Sequence, residues 1–278
     1  MTQKRIALLI IFTLFVLSLY TADALQAESV APANRSIYIF GDSWAAQMST
    51  TGEPIPFDQA LVDREFDSFV TLHKHGVSGS TLAQWAADEN GMFTTLATAI
   101  SLDPNPNPIV FVTLGGNDLF AGSTVTEMAT NLATILTALE AIRADLQVVQ
   151  GGYDILNPNV APQCMIFMQT LFGSSDPTVV NTALLTAYQS GVTVFSAFER
   201  SSSVNTFGTL QGTPGNPTLG EWSPVEYLSD CIHLNANGYN LYLNTLFDKA
   251  LTPILCSDPL VTSSACPFLV YLPVMMTD

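Results

Sequence analysis

Charge is scarce in this chain and lopsided where it occurs. Charged residues make up 12% of the 278 positions, and only 8 are Lys or Arg against 24 Asp or Glu. A formal net charge of −16 is repelled by nucleic-acid phosphates and by anionic membrane surfaces, which excludes a nucleic-acid partner. So little charge beside 48% apolar residues also excludes a disordered chain and leaves material for a large core. Cysteine is limited to 4 positions with no CxxC spacing, which argues against structural zinc. Histidine numbers 3; His73 and His75 would share one strand face, but no carboxylate cluster stands near them in sequence, and no metal is expected. No apolar run reaches the ~20 residues that comfortably span a bilayer. No internal repeat is visible.

The longest apolar run, residues 6–20, follows Lys4 and Arg5 and precedes Ala22-Asp23-Ala24. This three-part pattern predicts a secretory signal over residues 1–24, an exported or cell-surface protein, and no stable membrane insertion once the signal is cleaved. No cysteine follows the run, which argues against a lipid anchor. Residues 25–35 are small and polar and read as a linker. In an exported chain, the even cysteine count points to disulfides. Of three possible pairings, the short loop Cys256–Cys266 is favoured, leaving Cys164–Cys231. Residues 256–278 read as a C-terminal extension; their apolar stretch at 268–276 is too short to span a membrane.

Between these ends the chain alternates. Residues 36–41 (SIYIFG) and 109–114 (IVFVTL) read as buried strands, 69–74 and 146–150 as further strands, with a fifth at 192–195. Residues 165–171 are expected to be a strand or a buried loop. Helices are expected over 81–89, 93–101, 123–145, 177–189 and 236–251, the last capped at Asn235. Residues 201–221 are rich in Ser, Thr, Gly, Pro and Asn and read as a long loop. Strands alternating with helices predict an α/β fold with a parallel sheet covered on both faces.

Four short blocks carry chemistry. Gly41-Asp42-Ser43-Trp44 follows a strand, so Ser43 would sit at the carboxyl edge of the sheet, where open α/β folds place their sites. Its backbone N–H would point with a helix N-terminus at a developing anion. Gly76-Val77-Ser78-Gly79-Ser80 offers the bare backbone N–H of Gly79. Gly115-Gly116-Asn117-Asp118 ends another strand and offers the Asn117 amide. Together with the Ser43 N–H these make three donors suited to an oxyanion hole. Asp230-Cys231-Ile232-His233 precedes a helix. Its spacing lets the carboxylate reach one imidazole nitrogen while the other faces a nucleophile. A serine hydroxyl needs such a base, and an imidazole, titrating near ~6.5 in water, can take and return a proton.

In this order the blocks resemble the SGNH (GDSL-type) hydrolase family, named for its Ser, Gly, Asn and His, here Ser43, Gly79, Asn117 and His233. The resemblance covers residues 36–251, within a domain expected over 36–255. It implies a three-layer α/β/α, flavodoxin-like fold with about five parallel strands. It also implies hydrolysis of carboxylic esters through a Ser43 acyl-enzyme, with Asp230 orienting His233 and with no metal or organic cofactor. Trp44 stands where the family usually has leucine, and Cys231 inside the closing block is unusual. The substrate is expected to be an O-acetylated carbohydrate or a lipid or short-chain ester. The alternative from another class is a secreted binding protein that kept the fold without catalysis.

Overall fold

The apolar runs become strands that are buried on both faces, as parallel sheets require. The computed structural model describes residues 34–50, 52, 54–152, 157, 159–198, 201–204, 222–259 and 261–266. The expected signal segment, most of the linker and the end of the C-terminal extension lie outside these residues.

The first strand, β1 (Arg35–Gly41), is buried throughout and leads into α1 (Ser43–Thr50) and α2 (Pro56–Val62). Next come β2 (Val70–Gly76), the short α3 (Leu82–Ala86) and α4 (Met92–Ser101). The fully buried β3 (Ile109–Thr113) precedes α5 (Gly116–Phe120) and the long α6 (Val125–Ile142). After β4 (Gln147–Gly151) come α7 (Pro162–Phe172), α8 (Pro177–Phe195) and β5 (Ser201–Val204). The described chain closes with α9 (Ala236–Leu246), a π-turn at Phe247–Leu251 and α10 (Thr252–Cys256). Local chemistry sets several starts. Thr81 with Gln84 and Thr124 with Glu127 form capping boxes for α3 and α6, and the Asn235 side chain accepts from the N–H groups of Asn237 and Gly238 to start α9.

All five strands are parallel, in the order β2-β1-β3-β4-β5. This is the flavodoxin-like order, and the direction of winding reverses between β1 and β3. Alternation along each strand splits the core in two. Ile37, Ile39, Ile109, Phe111 and Val149 face the layer of α1, α2, α9 and α10. Tyr38, Phe40, Val110, Val112 and Val148 face α3, α4 and α6. The result is the three-layer α/β/α arrangement. Gly41 lets the switch point close up: its φ is +147°, and a Cβ there would stand 2.0 Å from the Thr113 carbonyl oxygen.

Three expectations are corrected. The first four residues of the loop expected over 201–221 form a strand, and the rest of that loop lies outside the described residues. Residues 192–195 are not a strand; they end α8, and the fifth strand lies at Ser201–Val204. The buried positions Val180, Leu184, Gly191 and Phe195 recur at helical spacing, and packing against the sheet overrides the β preference of Val192 and Val194. Residues 165–171 lie within α7, bracketed by Pro162 in its first turn and a left-handed Gly173 at its end. The beginning of the C-terminal extension packs on the domain: Val261 joins the first core, and the Ser263 hydroxyl donates to the Arg64 carbonyl. Among the described residues, no helix is long and apolar enough to cross a membrane.

Candidate active site

Ser43 opens α1 at the carboxyl end of β1, beside the switch point. The preceding Asp42 is buried, and its Oδ1 accepts from the Trp44 N–H at 3.0 Å, so the acid of the Gly-Asp-Ser block ties down the helix start. Gly76 allows α1 to sit on the end of β2, since a Cβ there would lie 2.3 Å from the Ala46 nitrogen.

The loop before α9 supplies the partner groups. His233 Nε2 stands 2.8 Å from Ser43 Oγ, and His233 Nδ1 stands 2.8 Å from Asp230 Oδ2. An Nδ1–H donating to the carboxylate leaves Nε2 free to accept from the serine hydroxyl. Asp230 Oδ1 also accepts from the backbone N–H groups of Ile232 and His233, each at 2.8 Å. Burial pushes the Asp230 carboxyl up, but the imidazole and these two N–H groups outweigh it and hold the acid at about 2. The carboxylate is therefore charged over the whole range in which an imidazole titrates.

Two tethers hold this loop. The Trp44 indole N–H donates to the Ile232 carbonyl at 3.0 Å. Cys231 is bridged to the buried Cys164 on α7. The second disulfide joins Cys256 and Cys266, so both favoured pairings are present.

Gly79 has φ +81° and meets no atom within 4 Å where a Cβ would stand, so backbone conformation, not crowding, asks for glycine. Its turn hangs from β1: the Val77 N–H donates to the Gly41 carbonyl at 2.9 Å, and the Ser80 hydroxyl reaches the same oxygen at 3.2 Å. Asn117 joins this turn from α5, its Nδ2 donating to the Ser80 carbonyl at 3.0 Å. The neighbouring Asp118 is buried and accepts from the N–H groups of Leu82 at 2.8 Å and Ala83 at 3.4 Å. Burial pushes its carboxyl up, opposed by those N–H groups.

Ser43 and Asn117 line one pocket, walled by Trp44, Phe120, Leu184 and Ile232. Ser43, His233 and Asp230 are thus hydrogen-bonded in series. Asn117 shares the serine's pocket, and Gly79 stands on the exposed turn that Asn117 holds. Sequence reasoning assigned no role to Asp118 or to the wall residues Phe120, Leu184 and Ile232. The only local signal for Asp118 was its place in the Gly-Gly-Asn-Asp block. His73 and His75 stack on Tyr38 with ring centroids at 4.3 and 6.0 Å. Among the described residues, no group of three or more His, Cys, Asp or Glu side chains is placed to hold a metal ion.

Solved structures share this architecture at low identity. A catalytic mutant of an acetylxylan esterase from Geobacillus stearothermophilus aligns with TM-score 0.55 and 12% identity, covering 77% of this chain and 93% of its own. A member of the lipolytic G-D-S-L family from Veillonella parvula aligns with TM-score 0.52 and 15% identity, covering 79% and 99%. An α/β hydrolase from the metagenome of Lake Arreo, Spain, aligns with TM-score 0.52 and 14% identity, covering 77% and 94%. No curated protein matches the chain. The model of the GDSL-like lipase/acylhydrolase family matches residues 39–241, a span that holds all four chemical blocks, and the chain belongs to that family of hydrolases.

Proposed function

We propose that the protein is an exported serine hydrolase that cleaves carboxylic esters through an acyl-enzyme on Ser43. The observation that carries this reading is the unbroken contact series Ser43 Oγ–His233 Nε2 and His233 Nδ1–Asp230 Oδ2, 2.8 Å at each step.

In the proposed reaction His233 takes the Ser43 proton as Oγ attacks the ester carbonyl. Asp230 holds the tautomer and stabilises the imidazolium. The tetrahedral oxyanion is received by the N–H groups of Ser43 and Gly79 and by the Asn117 amide, where one donor is typically worth about 3 kcal/mol. Asn117 uses one amide hydrogen on Ser80 and has a second to offer. Collapse expels the alcohol, which takes the proton from His233. Water then repeats the sequence and releases the acid. No cofactor enters these steps.

Export is supported by the N-terminal signal pattern and agrees with two disulfides, which persist in oxidising compartments. The proposed substrate is an O-acetylated carbohydrate or a lipid or short-chain ester. A fluorophosphonate probe tests the central claim. Mass spectrometry should find it on Ser43, and Ser43→Ala should fold, resist labelling and lose turnover of p-nitrophenyl butyrate. Labelling elsewhere, or turnover retained by the alanine variant, would remove Ser43 from its role.

A further inference from the structure

Charge is divided between the two edges of the sheet. All five strands are parallel and point their carboxyl ends at the edge where Ser43 stands, so the topology fixes which segments leave that edge. They are residues 42–46, 77–81, 114–124, 152–161 and 205–235. Asp or Glu occurs once in the first, third and fourth of these and three times in the last, six in all, whereas Lys and Arg are absent from every one.

The basic side chains stand elsewhere. Arg35 opens β1 and Arg143 stands before β4, both at the amino edge, where they pair with Asp258 at 3.8 Å and Asp145 at 2.6 Å. Lys74 is paired with Asp58 of α2 at 2.9 Å. Arg64 donates to Asn244 in the last turn of α9 at 2.7 Å, and Lys249 follows that helix, whose opposite end adjoins the His233 loop. Arg200 directly precedes β5 in sequence, and Lys4 and Arg5 belong to the expected signal segment.

A carboxylate, phosphate or sulfonate next to a scissile ester is recognised by an Arg fork or a Lys ammonium. At this edge such a group meets the charged Asp230 instead and gives up water without gaining a partner. A cation gains from the same carboxylates, and an uncharged ester is indifferent to them.

We propose that the Ser43 site selects its ester by charge. It takes uncharged esters, favours those with a positive group beside the scissile bond, and rejects those with a negative one. The substrate class is narrowed accordingly: anionic polysaccharide esters and acyl esters of phosphorylated carriers fall outside it. This rests on Ser43 being the acylated residue.

Three phenyl acetates of similar shape test it, carrying trimethylammonio, tert-butyl or sulfonate at the meta position. Each kcat/KM is divided by the rate of that ester with hydroxide, which removes differences in intrinsic reactivity. At an ionic strength of about 10 mM, where charges are felt over about 30 Å, the order should be cationic above neutral above anionic, with about fivefold at each step. At about 1 M the screening length is about 3 Å, and the steps should shrink to within about twofold. Val77 and Val225 are 39% and 47% exposed, in two of the segments at this edge, and neither lines the Ser43 pocket. Val77→Lys and Val225→Lys should each lower the cation-to-anion ratio about threefold at low salt, while Val77→Met and Val225→Met leave it at the parent value. The ratio is taken within one protein, so a loss of folded enzyme cancels. A protein that labels on Ser43 overturns the charge selection alone if it turns over none of the three esters, ranks them in another order, or keeps its order unchanged at high salt. Lysine variants that match their methionine controls overturn it as well. Absence of both labelling and turnover in the unmodified protein overturns the Ser43 reading, and the selection with it.

Discussion

The indole N–H of Trp44 donates to the carbonyl of Ile232, joining the residue after the candidate nucleophile to the residue before the candidate base across 188 positions of sequence. The ring is held edge-on against Tyr239 and Tyr242 of α9, with centroids at 5.9 and 5.4 Å. Leucine, usual in the resembled family, has no donor to make this link. In this chain the serine helix, the histidine loop and the helix that follows it are locked to one another by a single side chain.

Trp44→Phe keeps an aromatic ring and removes the donor. The Ile232 carbonyl then lacks that partner and the His233 loop gains freedom, while Ser43, His233 and Asp230 are all still present. A lost hydrogen bond of about 1 kcal/mol, expressed in the transition state, corresponds to a fall in kcat of about five- to tenfold. KM should change less. Steady-state kinetics on an aryl ester check this, and an unchanged kcat would show that the tether does not hold the base.

The parts of the fold that were legible in the sequence are those whose signal is local. Residues 36–41 and 109–114 are continuous apolar runs because their strands are buried on both faces, and the capping residue Asn235 stands directly before its helix. The candidate site residues were legible because the proposed ester chemistry needs particular residue types, here in short blocks that follow strands or precede a helix. What was hidden depends on distant packing. Residues 192–195 read locally as strand, yet Phe195 belongs to a buried face that begins at Val180. The fifth strand, Ser201–Val204, opens with three serines and offers no apolar signal. The Trp44–Ile232 bond joins segments that nothing in the linear pattern relates.

The Cys164–Cys231 bridge closes a loop of 67 residues and ends one position from Asp230. Loop-closure entropy gives such a link about 4 kcal/mol of stability on the chain-entropy model. Replacing both cysteines with serine should lower the thermal midpoint by several degrees. It should also reduce kcat at a temperature where the variant is still folded, because α7 no longer restrains the loop. Calorimetry and kinetics at one temperature separate the two effects. A variant that melts early but turns over at the parent rate would limit the bridge to stability.

Asp230 is held at about 2 in the folded protein, below the ~3.9 of an unfolded aspartate. A depressed acid contributes stability above the unfolded value and loses it as pH falls toward the folded one. The window is therefore roughly pH 4 down to 2, and the half-exposed side chain keeps the effect modest. Asp230→Asn should flatten this part of the acid unfolding curve relative to the parent. At neutral pH it should also cost turnover severely, on the order of 10⁴-fold, the loss seen when a triad carboxylate is neutralised and the imidazole takes the wrong tautomer. Acid titration of stability and kcat at pH 7 are the two measurements. A variant with the parent's acid profile would show that the carboxylate–imidazole contact does not form in solution.

Asp118 connects the two halves of the candidate oxyanion site without touching the pocket itself. Its buried carboxylate accepts from the N–H groups that open α3, directly after the Gly79 turn, while Asn117 beside it holds the same turn through Ser80. Asp118→Ala leaves a buried N–H without its acceptor, which costs about 1–3 kcal/mol, and frees the turn that presents Gly79. Asp118→Asn restores one carbonyl acceptor and removes the charge whose burial is unfavourable, so its loss of stability should be smaller. If the carboxylate positions the turn, kcat should follow the same order, with the parent above Asn and Asn above Ala, while KM stays close to constant because the pocket wall is intact. If it serves only to cap α3, thermal stability will follow that order and kcat of the folded fraction will not, and a plot of one against the other across the three proteins decides between the two roles.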